Sequence, residues 1–161
     1  MTGTRASSRT ALLLRFIDEW YEVKTWHGPN LKGSLRGISA PQAAKRPAPG
    51  RHNIWEIAVH TAYWKYIVRR RILGEKRGSF PLKGSNWIRR PAPGADWKAE
   101  LRMLDEIHRS MRRAMASFND ADLGRKPRGS RVSNVSIIMG IAAHDIYHAG
   151  QIRLLKRLVL R

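Results

Sequence analysis

The sequence predicts an all-α fold, a four-helix bundle with long connections between helices, and three observations lead there. Four segments repeat apolar residues at alternating steps of three and four, the period of a helix with one buried stripe. No segment shows the period of two that a half-buried strand needs. The 161 residues, 42% of them hydrophobic, suit one domain with a single core. Amphipathic helices of this length bury their stripes most economically against one another.

The first helix is expected over residues 10–26, with Leu13, Phe16, Trp20 and Val23 on its line. The second, over 53–73, aligns Ile57, His60, Trp64 and Ile67, and Gly74 is placed to stop it. The third, over 96–118, repeats Trp97, Leu101, Leu104, His108, Met111, Met115 and Phe118. The fourth, over 134–158, repeats Ile137, Ile141, His144, His148, Gln151, Leu155 and Leu158. Between them, 27–52, 75–95 and 119–133 are rich in Gly, Pro and charge and read as connections, the first holding a short helix over 39–45. Residues 1–9 read as a disordered tail, which leaves 10–161 as the folded domain.

Composition narrows the chemistry. With no cysteine, a disulfide framework, thiolate zinc ligands and a catalytic cysteine are all excluded, so any metal site must use imidazole or carboxylate. The apolar runs from Ala11 to Leu14 and from Ser136 to Ala143 are cut by Arg15 and His144, too short for a membrane span or a secretory signal, and the expected compartment is the cytoplasm. The formal net charge is +19, far beyond what solubility requires of a small domain.

Four histidines lie on the expected buried lines, and two of them form an i, i+4 pair. His144 and His148 stand four apart, one turn apart on the same face, where they can chelate one ion. His60 lies on the stripe of the second helix. Three imidazoles aimed into one interior would each lose about 1–3 kcal/mol if left unpaired, and a shared metal removes that penalty. Three His ligands leave a tetrahedral ion one position for water or substrate, the arrangement of a reactive site rather than a structural one. The run His144-Asp145-Ile146-Tyr147-His148 is similar to the zincin peptidase pattern H-E-x-x-H. Asp145 is one methylene short of the expected general base, however, and Leu154 stands where a further ligand would be, which argues against a peptidase.

The segment from His52 to His60, followed downstream by His144-Asp145-Ile146-Tyr147-His148-Ala149-Gly150-Gln151-Ile152, resembles the DinB/YfiT-like superfamily over about residues 10–158. The resemblance implies a four-helix bundle, often dimeric, with a divalent metal held by His60, His144 and His148. It also implies an activity among diverse ones, including transferases that use low-molecular-weight thiols such as bacillithiol and mycothiol, and an isomerase.

Other positions carry weaker expectations. Glu56, one turn before His60, is a candidate acceptor behind the ligand or a general base, or else a surface carboxylate paired with His52 or Lys65. Gln151 is placed to orient a ligand or else to be satisfied in the core, His108 is a fourth ligand, a partner beside the site or, more simply, a core residue, and His27 lines the mouth of a pocket or merely ends the first helix. Asp145, about 100° around the helix from His144, is expected to face outward or toward a neighbouring chain. Gly140 and Gly150 inside a helix imply close approach by another element, and Trp26 and Trp87 are pocket or interface candidates.

Basic residues cluster from Arg69 to Arg90 and again over Arg125, Lys126, Arg128 and Arg131. Such clusters are the footprint of a polyanion binder, yet no nucleic-acid-binding motif accompanies them, so a solvated basic surface is the favoured reading. The expected protein is therefore a metal-dependent enzyme that activates a thiol or water on Zn, Ni or Fe. A homodimer and a small, anionic thiol or an electrophile are its expected partners. The alternative is a nucleic-acid-binding module in which the metal is structural or absent.

Overall fold

The structure, a computed structural model, describes residues 8–76, 78 and 80–159. Among the described residues there are seven helices and no strand. Four are long: α1 (Ser8–Tyr21), α4 (Ile54–Leu73), α5 (Trp97–Ala116) and α7 (Asn134–Val159). Three single-turn helices, α2 (Leu31–Leu35), α3 (Ala40–Ala44) and α6 (Asp120–Gly124), sit in the connections. α4 packs along α5 and α7, and α1 closes the ring against the other sides of α5 and α7. No helix among the described residues is long and apolar enough to cross a membrane.

The ends of the long helices follow from their caps. Asn53 accepts a hydrogen bond from the Glu56 backbone N–H at 2.8 Å and starts α4, while Gly74 ends it at φ 64°, a left-handed conformation that favours glycine. Asp96 accepts from the backbone N–H groups of Lys98 and Ala99 and starts α5.

The apolar core falls into two clusters. One gathers Tyr21, Leu31, Leu35, Trp55, Trp97, Leu104 and Ile152, the other Leu13, Ile17, Val68, Met111, Met115, Ile138 and Ile141. Burial of each large side chain contributes about 1.5–3 kcal/mol. Along α4, α5 and α7, the positions between the two clusters carry Lys65, His108 and Asp145, all with 0% exposure. Lys65 Nζ donates to Asp145 Oδ2, linking α4 to α7. The Tyr21 ring stacks on His108 at 3.6 Å between centroids, and Lys65 Nζ lies 4.9 Å from the same ring. A polar layer thus crosses the interior.

Several expectations are corrected here. The first helix ends at Tyr21 rather than at residue 26, because the chain turns to bury Leu31 and Leu35 in α2; Asn30 ties that turn by donating to the Val23 carbonyl and capping α2 at Gly33 N–H. Its buried line is Leu13, Leu14, Ile17 and Tyr21, so Phe16 and Val23 are exposed. His27 is therefore exposed beyond the helix, edge-on to a Trp26 that is itself 97% exposed. Ser8 and Arg9 of the expected tail belong to α1, and residues 1–7 lie outside the described residues. Asp145 faces inward, since α7 packs against α1, α2 and α4 and buries more than one line. Leu158 is exposed. A Cβ on Gly140 or Gly150 would meet nothing within 4 Å, so none of the described elements approaches either glycine closely.

Part of the basic run serves the fold. Arg90 is buried and donates to Glu100 at 2.9 Å, and Arg69 pairs with Glu75 at 2.7 Å. Arg77 of that run lies outside the described residues. Because a lone buried charge is far worse than a buried pair, Lys65→Ala is expected to destabilise the fold by about 3–5 kcal/mol. The double replacement Lys65→Met with Asp145→Leu should recover most of that loss, as urea unfolding of the two variants will measure.

Candidate metal centre

α4 presents His60 and α7 presents His144 and His148, one turn apart, to a common point. His144 Nε2 lies 3.2 Å from His60 Nε2 and 3.1 Å from His148 Nε2. One ligand atom from each of the three residues lies within 4.8 Å of the other two. His60 and His148 are buried and His144 is half-buried.

The groups behind the rings decide which nitrogens are free. His60 Nδ1–H donates to the Asn86 backbone carbonyl at 3.2 Å, and His148 Nδ1–H donates to Gln151 Oε1 at 2.6 Å. In neutral imidazoles those bonds leave the Nε2 lone pairs of His60 and His148 directed at the third ring. His144 Nε2 can carry one proton at most, so it can satisfy only one of its two contacts, and its Nδ1 is buried with no partner. A divalent ion at about 2.0–2.1 Å from imidazole nitrogens separates tetrahedral ligand atoms by about 3.3 Å, close to the spacing here. The donor set is therefore compatible with a divalent metal, with the outer nitrogens of His60 and His148 already fixed by acceptors.

Burial pushes the His60 imidazole down to about 4, assisted by the positive charge His148 would carry and opposed by the bond to Asn86. The same burial, with charge from His148, His60 and Lys65, pushes His144 down to about 3. His148 is lowered by burial against the bond to Gln151. All three are thus held neutral, the form a metal requires.

The family model of the DinB superfamily matches residues 25–152. The chain belongs to the DinB superfamily. No curated protein and no solved structure matches it. In this DinB chain the matched region contains the whole three-His group, and the buried cluster is compatible with metal binding.

Trp87, in the loop between α4 and α5, covers the site. Its indole stacks on His60 at 3.8 Å and 6°, and on His52 at 3.7 Å and 8°, so it is clamped between two imidazoles. Asn86, at φ 55°, supplies both its carbonyl to His60 and its side-chain oxygen to Trp64 Nε1–H at 2.9 Å. Sequence periodicity gives no sign of Asn86, because a loop carbonyl has no repeat.

Glu56 lies behind this stack. Its carboxylate accepts from Arg46, from His52 Nδ1–H at 3.0 Å and from the Arg90 backbone N–H at 3.1 Å, and Lys65 is not its partner. Burial raises its pKa, but those three donors outweigh it and hold the carboxyl below its usual range. A carboxylate so occupied is a poor general base, and its contact is with His52 rather than with a ligand. Gln151 stands on His148, as an orienting residue should, and its Nε2–H donates to the exposed Tyr147 hydroxyl at 3.1 Å. Asp145, bound to Lys65, is not available as a peptidase base. His108 is no part of the cluster: it is fully buried, its two ring nitrogens have no hydrogen-bond partner among the described residues, and burial with the charge of Lys65 pushes it down to about 2.

The unfolded chain titrates its histidines near pH 6.5, whereas His60, His144 and His108 stay neutral in the fold down to about 4, 3 and 2. As pH falls below about 6.5 the unfolded state takes up protons that the native state does not, so metal-free protein should lose stability steadily toward pH 4. His108→Phe, which keeps the stack on Tyr21 and removes one such group, should flatten that slope in urea unfolding at a series of pH values.

Proposed function

We propose that this DinB chain is a divalent-metal-dependent enzyme whose ion, Zn, Ni or Fe, is held by His60, His144 and His148, and which works as a homodimer in the cytoplasm. The observation that carries the reading is the convergence of three neutral Nε2 atoms at 3.1–3.2 Å with at most one proton among the contacts. A divalent ion held there supplies a Lewis acid with a position left for a thiol or water, whose pKa falls on binding. The residues of the chain do the rest. Asn86 and Gln151 fix the His60 and His148 rings, and Trp87 keeps water from one face of His60. Glu56 is a positioning residue that acts through His52 and Trp87.

Two cavities flank the Trp87–His52 stack, and their chemistry differs. One, of about 500 Å³, carries Arg46, His52 and Arg89. The other, of about 320 Å³, has a wall of Ile57, Leu154, Leu155 and Leu158, carries Arg51 as its one full cation, and reaches Gln151. This division supports a small anionic thiol on the basic side and an apolar electrophile on the other. In such a conjugation the S–H proton passes to solvent, sulfur forms the new bond to carbon, and the leaving group departs with the electron pair of the bond that breaks.

The homodimer reading is supported by an apolar face on α1 and α7 around a cavity of about 460 Å³, where Leu12, Phe16 and Met139 are exposed. Met139→Asp should convert the protein to monomer in analytical ultracentrifugation.

Elemental analysis tests the centre. Wild type reconstituted at neutral pH should carry about one ion per chain, and His60→Ala, His144→Ala and His148→Ala should each lose it while remaining helical by circular dichroism. Full occupancy in His60→Ala would falsify the three-His site. Thiol conjugation, in a screen of small thiols and electrophiles, should disappear when the ion is removed.

A further inference from the structure

A large cavity lies away from the three histidines of the metal centre. It has a volume of about 720 Å³, within the range of sites for drug-sized ligands, and shares no lining residue with either cavity beside the Trp87–His52 stack. α2, the turn that follows it, the start of α4 and the first half of α5 form its walls.

Its floor is apolar for a definite reason. Trp55 and Trp97 both line it, and the indole N–H of each is already used: Trp55 donates to Glu100 at 2.6 Å and Trp97 to the Ile38 carbonyl at 2.7 Å. Only ring surface is therefore offered to the cavity, together with Leu35, Leu101 and Leu104. The two acids of the lining are also occupied. Asp105 accepts from the Tyr21 hydroxyl and pairs with Lys32 at 3.0 Å, and Asp96 caps α5.

What remains unpaired is positive. Arg36 and Lys98 line the cavity, are exposed, and have no ion-pair or side-chain hydrogen-bond partner among the described residues. A neutral apolar ligand would leave these charges unused, and a polyanion would gain nothing from the indole floor. We propose that this cavity is a second ligand site, which takes a small amphipathic carboxylate: a hydrocarbon body against Trp55 and Trp97, and one acidic head between Arg36 and Lys98. The site is independent of the metal centre.

Isothermal titration of the full-length protein with decanoate below its micellar concentration, and with decanol, tests it. Decanoate should saturate at one molecule per chain and bind about tenfold more tightly than decanol at low salt. Arg36→Glu combined with Lys98→Glu, on the surface, should reduce decanoate to the level of decanol and leave decanol unchanged. Leu101→Trp, which fills the cavity, should abolish both. His60→Ala should leave decanoate binding intact, which separates this site from the metal reading. Absence of saturation, equal affinity for the two probes, or decanoate binding that is lost in His60→Ala but survives the double charge reversal would overturn the proposal.

Discussion

The buried contact between Lys65 and Asp145 fixes the two helices on which the site depends. Both side chains have 0% exposure, one on α4 and the other on α7. Sliding either helix by one turn, about 5.4 Å, would strand both charges in the core, an error too large for the apolar contacts nearby to absorb. Asp145 adjoins His144 in the chain, and Lys65 follows His60 by five residues, so the register that pairs the charges also brings the three imidazoles to one point. Apolar packing alone would not enforce it, since leucine-like surfaces tolerate sliding far better than a buried ion pair does.

The polar layer and the imidazole cluster are one construction. Burial drives Lys65 and Asp145 toward their neutral forms, and their mutual attraction opposes it. The same burial holds His60 and His144 neutral, so the interior that would penalise three charged rings prepares three lone pairs instead. On the outer side, Trp87 lies flat between His60 and His52, and His52 is in turn held by Glu56. The stack on His60 therefore ends on the Arg46–Glu56 ion pair, while the Asn86 carbonyl holds the same ring through Nδ1, the order of support that a precise site requires.

Much of this was legible in the sequence, for reasons that differ by residue. The α4 and α7 patterns show His60, His144 and His148 because a 3.6-residue period converts spacing directly into direction. Asn53 and Gly74 mark the ends of α4 because their capping chemistry is local. Ser39 and Gln42 mark α3 in the same way, with Gln42 accepting from the Ser39 backbone N–H. Asp145 escapes a reading of one stripe per helix, because α7 contacts four other helices, α1, α2, α4 and α6. α2 and α6 went unseen since single turns contain too few residues to show a period. The Arg46–Glu56 contact, the Asn86 carbonyl and the Trp87 stack join loops to helices across the fold, and no pattern along the chain encodes such meetings.

The distribution of charge follows from arithmetic and then from geometry. The chain has 12 acids against 31 Lys and Arg residues. All the acids except Asp96 and Glu106 make ion pairs, and Asp96 caps α5. With the acids consumed, the charges left free around these openings are positive among the described residues: Arg36 and Lys98 at the cavity floored by Trp55 and Trp97, Arg89 beside Trp87, and Arg71 and Arg128 at the end of α4. A field of one sign draws every anion toward the protein and separates none of them. Selection among anions must then come from what lies beneath the cations, an indole floor in one cavity and a wall of leucines in another, because apolar shape varies from opening to opening while the sign does not.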